Sequence, residues 1–217
     1  MTGLLKEKGG FLITPVAKAL IKLGLSATAL TVLGFAAAAI AGLLFGLGHI
    51  RSAALAVLVS GILDSADGTV ARLSGQVTRA GAFTDSAVDR YCEAVIFFGL
   101  SLHFLLVGAF SLVLLTFVAM SGAFMVSYMR ARLEGLGKEC RVGLLEREDR
   151  VIVLAAGGLV GAIGLEIALW VLAVFSHYTA LQRVRYATRS LKDSELLATH
   201  SSKEDDSTSD YDLDLKS

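Results

Sequence analysis

Four aspartates are spaced so that they fall on two helix faces. Asp64 and Asp67 are three residues apart, and Asp85 and Asp89 are four residues apart, so each pair shares one face of a helix. Both pairs border long apolar segments, where a carboxylate is expensive and usually marks a functional site. A short turn joins the two segments, so we expect antiparallel neighbouring helices whose four carboxylates converge at one depth.

Four like charges in one place need compensation, either by protonation or by bound cations. A site built only from carboxylates favours hard, oxygen-seeking ions, which indicates Mg²⁺ or Mn²⁺. Two such ions held together can neutralise a diphosphate and stabilise the oxygens that leave. The pattern therefore predicts metal-dependent phosphate chemistry, and an intramembrane cation or proton carrier is the alternative.

Small residues accompany the aspartates. Gly68 directly follows Asp67, Ala71 lies one helical turn beyond it, and Gly81 lies one turn before Asp85. Without a β-carbon, glycine lets a flat base or a phosphate approach the backbone closely. Small residues also serve ordinary helix packing in membranes, but beside four aspartates we favour room for a substrate.

The elements that must position these residues are predicted to be membrane helices. The chain of 217 residues is 54% hydrophobic and contains one proline, and its mean hydropathy is +0.66. This profile excludes an ordinary soluble domain. About 20 apolar residues cross a bilayer core as a helix, and the segments of about that length are 26–47, 52–72, 82–106, 108–131, 149–164 and 166–186, the fifth being marginal.

Segments 1–25 and 191–217 flank the predicted six-helix domain at 26–190. Apolar residues recur at helical spacing over 11–24, with Lys18 and Lys22 four apart, which indicates an amphipathic helix lying in the membrane interface. The predicted fold class is thus an all-α membrane protein with six transmembrane helices preceded by an interfacial amphipathic helix. The polar, acidic end predicts a disordered cytoplasmic tail, and a scaffold acting through that tail is a third functional hypothesis.

The basic residues predict the orientation of the chain in the cell membrane. With six spans, every lysine and arginine except Arg51 lies on or near one side of the membrane. The positive-inside rule makes that side cytoplasmic. We therefore expect a multi-pass protein with its active site and both termini on the cytoplasmic side.

The spacing of the aspartates, the glycines and Arg72 resembles a known family signature. The run Asp64-x-x-Asp67-Gly68-x-x-Ala71-Arg72, then eight residues, then Gly81-x-x-x-Asp85-x-x-x-Asp89, is similar to the full motif of the CDP-alcohol phosphotransferases, over about residues 12–190. The resemblance implies that all four aspartates bind metal, and that Asp89 also acts as the catalytic base. It further implies nucleotide-binding roles for Gly68, Ala71, Arg72 and Gly81.

In the chemistry that this resemblance implies, an acceptor hydroxyl loses its proton to Asp89 and attacks the β-phosphorus of a CDP-linked lipid. CMP then leaves. The implied partners are a CDP-linked lipid donor, a phosphorylated polyol and membrane lipid, with no nucleic acid. Relatives of this type are commonly homodimers, so the resemblance also implies a homodimer. The implied cofactor is a pair of Mg²⁺ or Mn²⁺ ions.

A second set of polar residues bears on the acceptor. Guanidinium groups form bidentate, charge-assisted bonds to phosphate. For any single arginine here a membrane anchor is the favoured interpretation, and only as a set do the arginines indicate an acceptor that carries a phosphate. The runs SYMRAR, EREDR and LQRVR are similar to the inositol-phosphate branch of the family, the phosphatidylinositol phosphate synthases and their archaeal counterparts. The acceptor-binding residues implied in this way are Ser127, Arg130, Arg132, Arg147, Arg150 and Arg183.

The chain departs from that branch at two places. Glu148 replaces a proline, and the first span lacks a proline and an acid that relatives often have. The predicted reaction is transfer of a phosphatidyl group from CDP-diacylglycerol, or an archaeal CDP-lipid, to inositol phosphate. Glycerol 3-phosphate, as in a phosphatidylglycerophosphate synthase, is the alternative acceptor.

Overall fold

Helices account for all the regular structure that is described. The computed structural model describes residues 13–140 and 142–214, with side chains up to residue 194. Within these ranges there is no strand, which confirms the all-α prediction. The helices are α1 over 13–22, α2 Ala27–Gly46, α3 Ile50–Leu73, α4 Arg79–Leu106, α5 Phe110–Glu134, α6 Arg147–Val160 and α7 Ala162–Asp214.

The turn between α3 and α4 is defined by a glycine and a helix cap. Gly75 has a φ of 65°, a left-handed conformation that glycine adopts without strain. Thr78 then begins α4, and its hydroxyl accepts a hydrogen bond from the backbone N–H of Gly81 at 3.0 Å. Reversal and restart within a few residues bring the Asp64 end of α3 and the Asp85 end of α4 to the same side of the molecule.

Six of the helices form a closed ring. Helix α2 packs on α3 and α4, α3 on α6, α6 on α7, α7 on α5, and α5 on α4. Helices α3 and α4 are therefore not main packing partners, contrary to the expectation of direct neighbours, because α2 lies against both. A β-carbon added to Gly99 of α4 would stand 2.0 Å from the carbonyl oxygen of Gly42 in α2, so these two backbones are in contact.

Helix α1 packs on the outside of this ring, at the end of α3 that carries the aspartates. Its fully buried Ala17 belongs to a small apolar cluster with Leu30, Ala66 and Val70. Lys18 is exposed. A helix is therefore present in the predicted segment 11–24, of which residues 11 and 12 lie outside the described part, and its amphipathic, interfacial character stays a prediction.

Among the described residues, four helices are long and apolar enough to cross a membrane: Ala27–Gly46, Ile50–Leu73, Phe110–Glu134 and Ala162–Ser194. The chain is therefore a multi-pass membrane protein. The predicted third and fifth spans fall on α4 and α6, which are not both long and apolar enough to be counted with these four. Helix α4 has sufficient length, with 28 residues, but carries the charged residues of the site. Helix α6 has 14 residues, or about 21 Å, against a hydrocarbon core of about 30 Å.

The last helix extends further than the composition indicates. Helix α7 continues to Asp214, whereas the polar, acidic sequence predicts a disordered tail from residue 191. Each residue added to an existing helix forms one further backbone hydrogen bond, which offsets the entropy lost in fixing that residue. The disordered tail at 191–217 stays a prediction. Residues 215–217 lie outside the described chain.

Candidate active site

Three of the four aspartates meet at the open end of α3 and α4. Asp64, Asp67 and Asp85 each present a carboxylate oxygen, and these oxygens all lie within 4.8 Å of one another. Asp67 is the most buried, with 4% of its surface exposed. An all-oxygen, all-anionic donor set at this spacing fits a hard divalent cation such as Mg²⁺ or Mn²⁺.

Helix α2 orients the deepest of these carboxylates. The Thr31 hydroxyl lies 2.7 Å from Asp67 Oδ2 and donates a hydrogen bond to it. A ligand whose second oxygen or lone pair is fixed in this way loses less freedom when it binds an ion. Thr31 is not among the residues predicted for the site, although it lies in the run where the first span departs from the expected family pattern.

Asp89 does not join the three-carboxylate group in this structure. Its Oδ1 pairs with Arg147 Nη2 at 2.9 Å, while Arg147 Nη1 pairs with Asp64 Oδ2. One guanidinium of α6 thus bridges a carboxylate of α3 and a carboxylate of α4. Arg147, predicted to bind the acceptor, is the one arginine of that set with a described contact to the aspartates.

Two other arginines of the predicted acceptor set are buried inside the helix bundle. Arg150 is 4% exposed, and its Nη2 lies 2.6 Å from Oε1 of Glu93, itself 7% exposed. Arg183 is 3% exposed and donates to the carbonyl oxygens of Val142 at 2.9 Å and Val126 at 2.6 Å. Both side chains therefore tie helices and loops together in this structure.

The remaining members of the set lie towards the end of α5. The Ser127 hydroxyl accepts a hydrogen bond from Arg90. Arg130 pairs with Glu134 at 2.8 Å and lines an open pocket of about 360 Å³ with Glu134, Glu139 and Cys140. Arg132 is exposed. The structure thus brings Arg147 to the aspartates and leaves the other predicted acceptor residues in separate environments.

The small residues of the signature have different surroundings. A β-carbon on Gly68 would meet only Arg72 Nη1, at 3.5 Å, which is an ordinary contact, so packing does not explain the glycine. A β-carbon on Gly81 would stand 2.9 Å from the Thr78 hydroxyl that caps α4. Ala71 is partly buried and Arg72 is exposed, with its Nη2 3.0 Å from the Thr69 hydroxyl. Space beside Gly68 therefore supports the substrate interpretation more directly than Gly81 does.

The start of α6 shows why Glu148 is compatible with the site. A reciprocal capping box joins Glu146 and Asp149, with the Glu146 N–H donating to Asp149 Oδ2 at 2.9 Å. Glu148 is exposed in the first turn, where an acid interacts favourably with the helix dipole. The cap fixes Arg147 at the first helical position with Glu148 following it.

Comparisons with known proteins show the family of this chain. The family model described as CDP-alcohol phosphatidyltransferase matches residues 25–182. The phosphatidylinositol phosphate synthase of Mycobacteroides abscessus is 38% identical over 192 residues, covering 85% of this chain and 87% of that protein. The archaetidylinositol phosphate synthase of Methanothermobacter thermautotrophicus is 35% identical over 184 residues, covering 83% and 90%.

Solved structures give the same picture. The crystal structure of Mycobacterium tuberculosis phosphatidylinositol phosphate synthase with CDP-DAG bound matches with a TM-score of 0.71 and 31% identity, covering 81% of this chain and 92% of that chain. A second structure of that enzyme, with manganese and citrate, matches with a TM-score of 0.70 and 31% identity over 81% and 88%. The chain is a member of the CDP-alcohol phosphatidyltransferase family and hence a transferase.

Proposed function

We propose that the protein transfers the phosphatidyl group of CDP-diacylglycerol, or an archaeal CDP-lipid, to inositol phosphate, giving phosphatidylinositol phosphate and CMP. The observation that carries the proposal is the convergence of Asp64, Asp67 and Asp85 within 4.8 Å, at positions of the family signature. Two relatives are named archaetidylinositol phosphate synthase and phosphatidylinositol phosphate synthase, and a solved relative has CDP-DAG bound. These names and this structure support the choice of substrates. An enzyme family replaces the carrier and scaffold hypotheses.

The three carboxylates of the cluster hold Mg²⁺ or Mn²⁺ in this proposal. The metal supplies charge neutralisation of the donor diphosphate and polarisation of its phosphorus–oxygen bonds. Thr31 keeps Asp67 in a fixed orientation. Asp89 takes the proton of the acceptor hydroxyl, so that the new oxygen–phosphorus bond forms as the bond to CMP breaks.

We further infer that two ions bind and that Asp89 contributes to the second. Its present pairing with Arg147 then has to loosen. The support for two ions is the diphosphate of the donor, because a pair of divalent ions can neutralise its charge and stabilise the oxygens that leave.

Arg147 and Arg130 are the proposed contacts for the phosphate of the acceptor. Arg147 lies against the aspartates, and Arg130 is half-exposed beside an open pocket. Ser127 and Arg132 complete the α5 side of the acceptor region, while Arg150 and Arg183 act on it from within the bundle. We place the nucleotide along Gly68, Ala71, Arg72 and Gly81.

The finer topology also belongs to the proposal. We infer six spans between residues 26 and 190, with α4 and α6 as the third and fifth and α1 in the interface. The short α6 then needs a locally thin or protein-lined path, since fourteen residues do not cross a full core. The side that carries the basic residues is assigned to the cytoplasm, together with the active site and both termini, and a homodimer is expected.

The test is an acceptor panel with purified protein in lipid-containing detergent. Inositol phosphate, free inositol, glycerol 3-phosphate and serine are each added with CDP-diacylglycerol and Mn²⁺, and CMP release is measured. The proposal expects the highest kcat/KM with inositol phosphate. A preference for glycerol 3-phosphate would favour the alternative synthase, and a preference for free inositol would contradict the role given to the arginines.

A further inference from the structure

A buried glutamate that the reaction scheme does not use lies directly beneath the site. Glu93 is one helical turn beyond Asp89 on α4 and is 7% exposed. Its Oε1 lies 2.6 Å from Arg150 Nη2, and its Oε2 lies 3.1 Å from Arg90 Nη1. A single carboxylate is therefore shared between two arginines from different helices in a region that excludes most water.

Arg90 connects this carboxylate to the proposed base. Its Nη1, besides facing Glu93, donates to the Ser127 hydroxyl of α5. Its Nη2 lies 3.8 Å from Asp89 Oδ2. Glu93 and Ser127 together thus fix the guanidinium whose other edge faces Asp89. Loss of the glutamate charge leaves Arg90 free to turn towards the acids of the site.

Arg150 connects the same carboxylate to Arg147. The two arginines are three residues apart on α6, so they lie on neighbouring positions of one helix face. The pairing of Arg150 with Glu93 fixes the height and rotation of α6 against α4. Arg147 reaches Asp64 and Asp89 from that fixed position. Glu93 thus contacts Arg90 directly and, through Arg150, anchors the helix that carries Arg147, and these two arginines are the cations beside Asp89.

We propose that Glu93 is a positioning residue for the transfer reaction, acting on Asp89 through Arg90 and through the Arg150 anchor of α6. This inference rests on the proposed function, because Asp89 is its proposed base. It differs from a purely structural role, in which Glu93 would do no more than neutralise a buried arginine. In that case removing both members of the Glu93–Arg150 pair would restore the enzyme.

The test compares Glu93→Gln with the double variant Glu93→Gln/Arg150→Met. The double variant removes both members of the buried Glu93–Arg150 pair, an exchange that other proteins tolerate well, and it leaves Arg90 with only Ser127 and Asp89 as its described partners. Thr116→Val is the matched control, since Thr116 is fully buried in α5 and bonds only to Leu112 O at 2.7 Å among the described contacts. The Tm of each variant is measured, together with the kcat and KM of CMP release. The kcat is expressed per mole of protein that has CDP-lipid bound.

The positioning role predicts that Glu93→Gln lowers both Tm and kcat. In the double variant Tm recovers. The kcat stays at least about 10-fold below that of wild type, because Arg90 still lacks the carboxylate of Glu93. Thr116→Val lowers Tm and leaves kcat unchanged. Recovery of kcat in the double variant, or full kcat in Glu93→Gln, would overturn the inference. Absence of CMP release by wild type with every acceptor would instead refute the proposed function, and the role of Glu93 with it.

Discussion

Arg147 occupies carboxylate oxygens that a metal ion would need. Its guanidinium pairs with Asp64 and with Asp89, the latter at 2.9 Å, and all three side chains are 16–20% exposed. A cation that binds Asp64 must therefore displace or share this arginine. Replacing Arg147 by methionine, which keeps much of the side-chain length without the charge, is expected to tighten Mn²⁺ binding while turnover falls.

The size of the effect follows from the two ion pairs. Two unit charges 4 Å apart attract by about 4 kcal/mol at an effective dielectric constant of about 20, but desolvation removes part of this. A hydrogen bond to a charged group contributes about 1.5–3 kcal/mol net. Freeing Asp64 alone from Arg147 should thus tighten Mn²⁺ binding by about 10- to 100-fold, at 1.36 kcal/mol for each factor of ten.

The assay is Mn²⁺ titration followed by electron paramagnetic resonance, without donor or acceptor. Arg130→Met is the matched control, because it removes one positive charge from an arginine that pairs with Glu134 and not with the aspartates. It should change Mn²⁺ affinity by less than about 3-fold, as expected of a screened charge at a distance. Equal affinities in wild type and Arg147→Met, or weaker binding in the variant, would refute the competition between arginine and metal.

Three further predictions concern the frame of the site. Thr31→Val removes the 2.7 Å bond to Asp67 and should weaken Mn²⁺ binding by about 10-fold, with an unchanged affinity counting against Thr31 as an orienting group. Arg183→Met leaves the buried carbonyl of Val126 and the partly buried carbonyl of Val142 without their donor. It should destabilise the protein by about 2–4 kcal/mol, seen as a lower Tm; an altered acceptor KM at full Tm would instead make Arg183 a direct contact. Gly99→Ala should abolish folding, since the backbone of α2 occupies the space that the added β-carbon would need. Gly68→Ala should keep the wild-type Tm and raise the KM for the donor. The same effect on folding in both variants would contradict the packing described.

The sequence predicts the fold well where a pattern has one physical cause. Apolar runs place α2, α3 and α5 close to their described bounds, because a lipid-facing helix must be apolar throughout, whereas α7 extends well beyond its apolar run at 166–186. Helix α4 is predicted from the apolar run 82–106, although the charged residues at its start lower its mean hydropathy. The stop of α6 at Val160 depends on Gly161, whose φ of 116° ends the helix, and apolar composition does not report that conformation.

The candidate site is only partly visible in the sequence. Helical spacing groups the aspartates correctly, and three converge, but spacing carries no information about which cation neutralises the fourth. Arg147 and Arg150 look equivalent as basic residues near the membrane edge, yet one faces Asp89 and the other is buried against Glu93. That difference depends on the rotation of α6, which tertiary contacts set. A glutamate inside the 82–106 segment was the available signal for the buried pair.

Mass spectrometry of the lipid product tests the central claim most directly. Purified protein receives CDP-diacylglycerol and inositol phosphate with Mn²⁺, and parallel samples contain a chelator or the Asp67→Asn variant. The account predicts a lipid that carries inositol and two phosphates, formed in step with CMP, and formed in neither parallel sample. A product that also forms in the chelator sample, or CMP release without this lipid, would contradict a carboxylate-bound metal centre that transfers phosphatidyl groups to inositol phosphate.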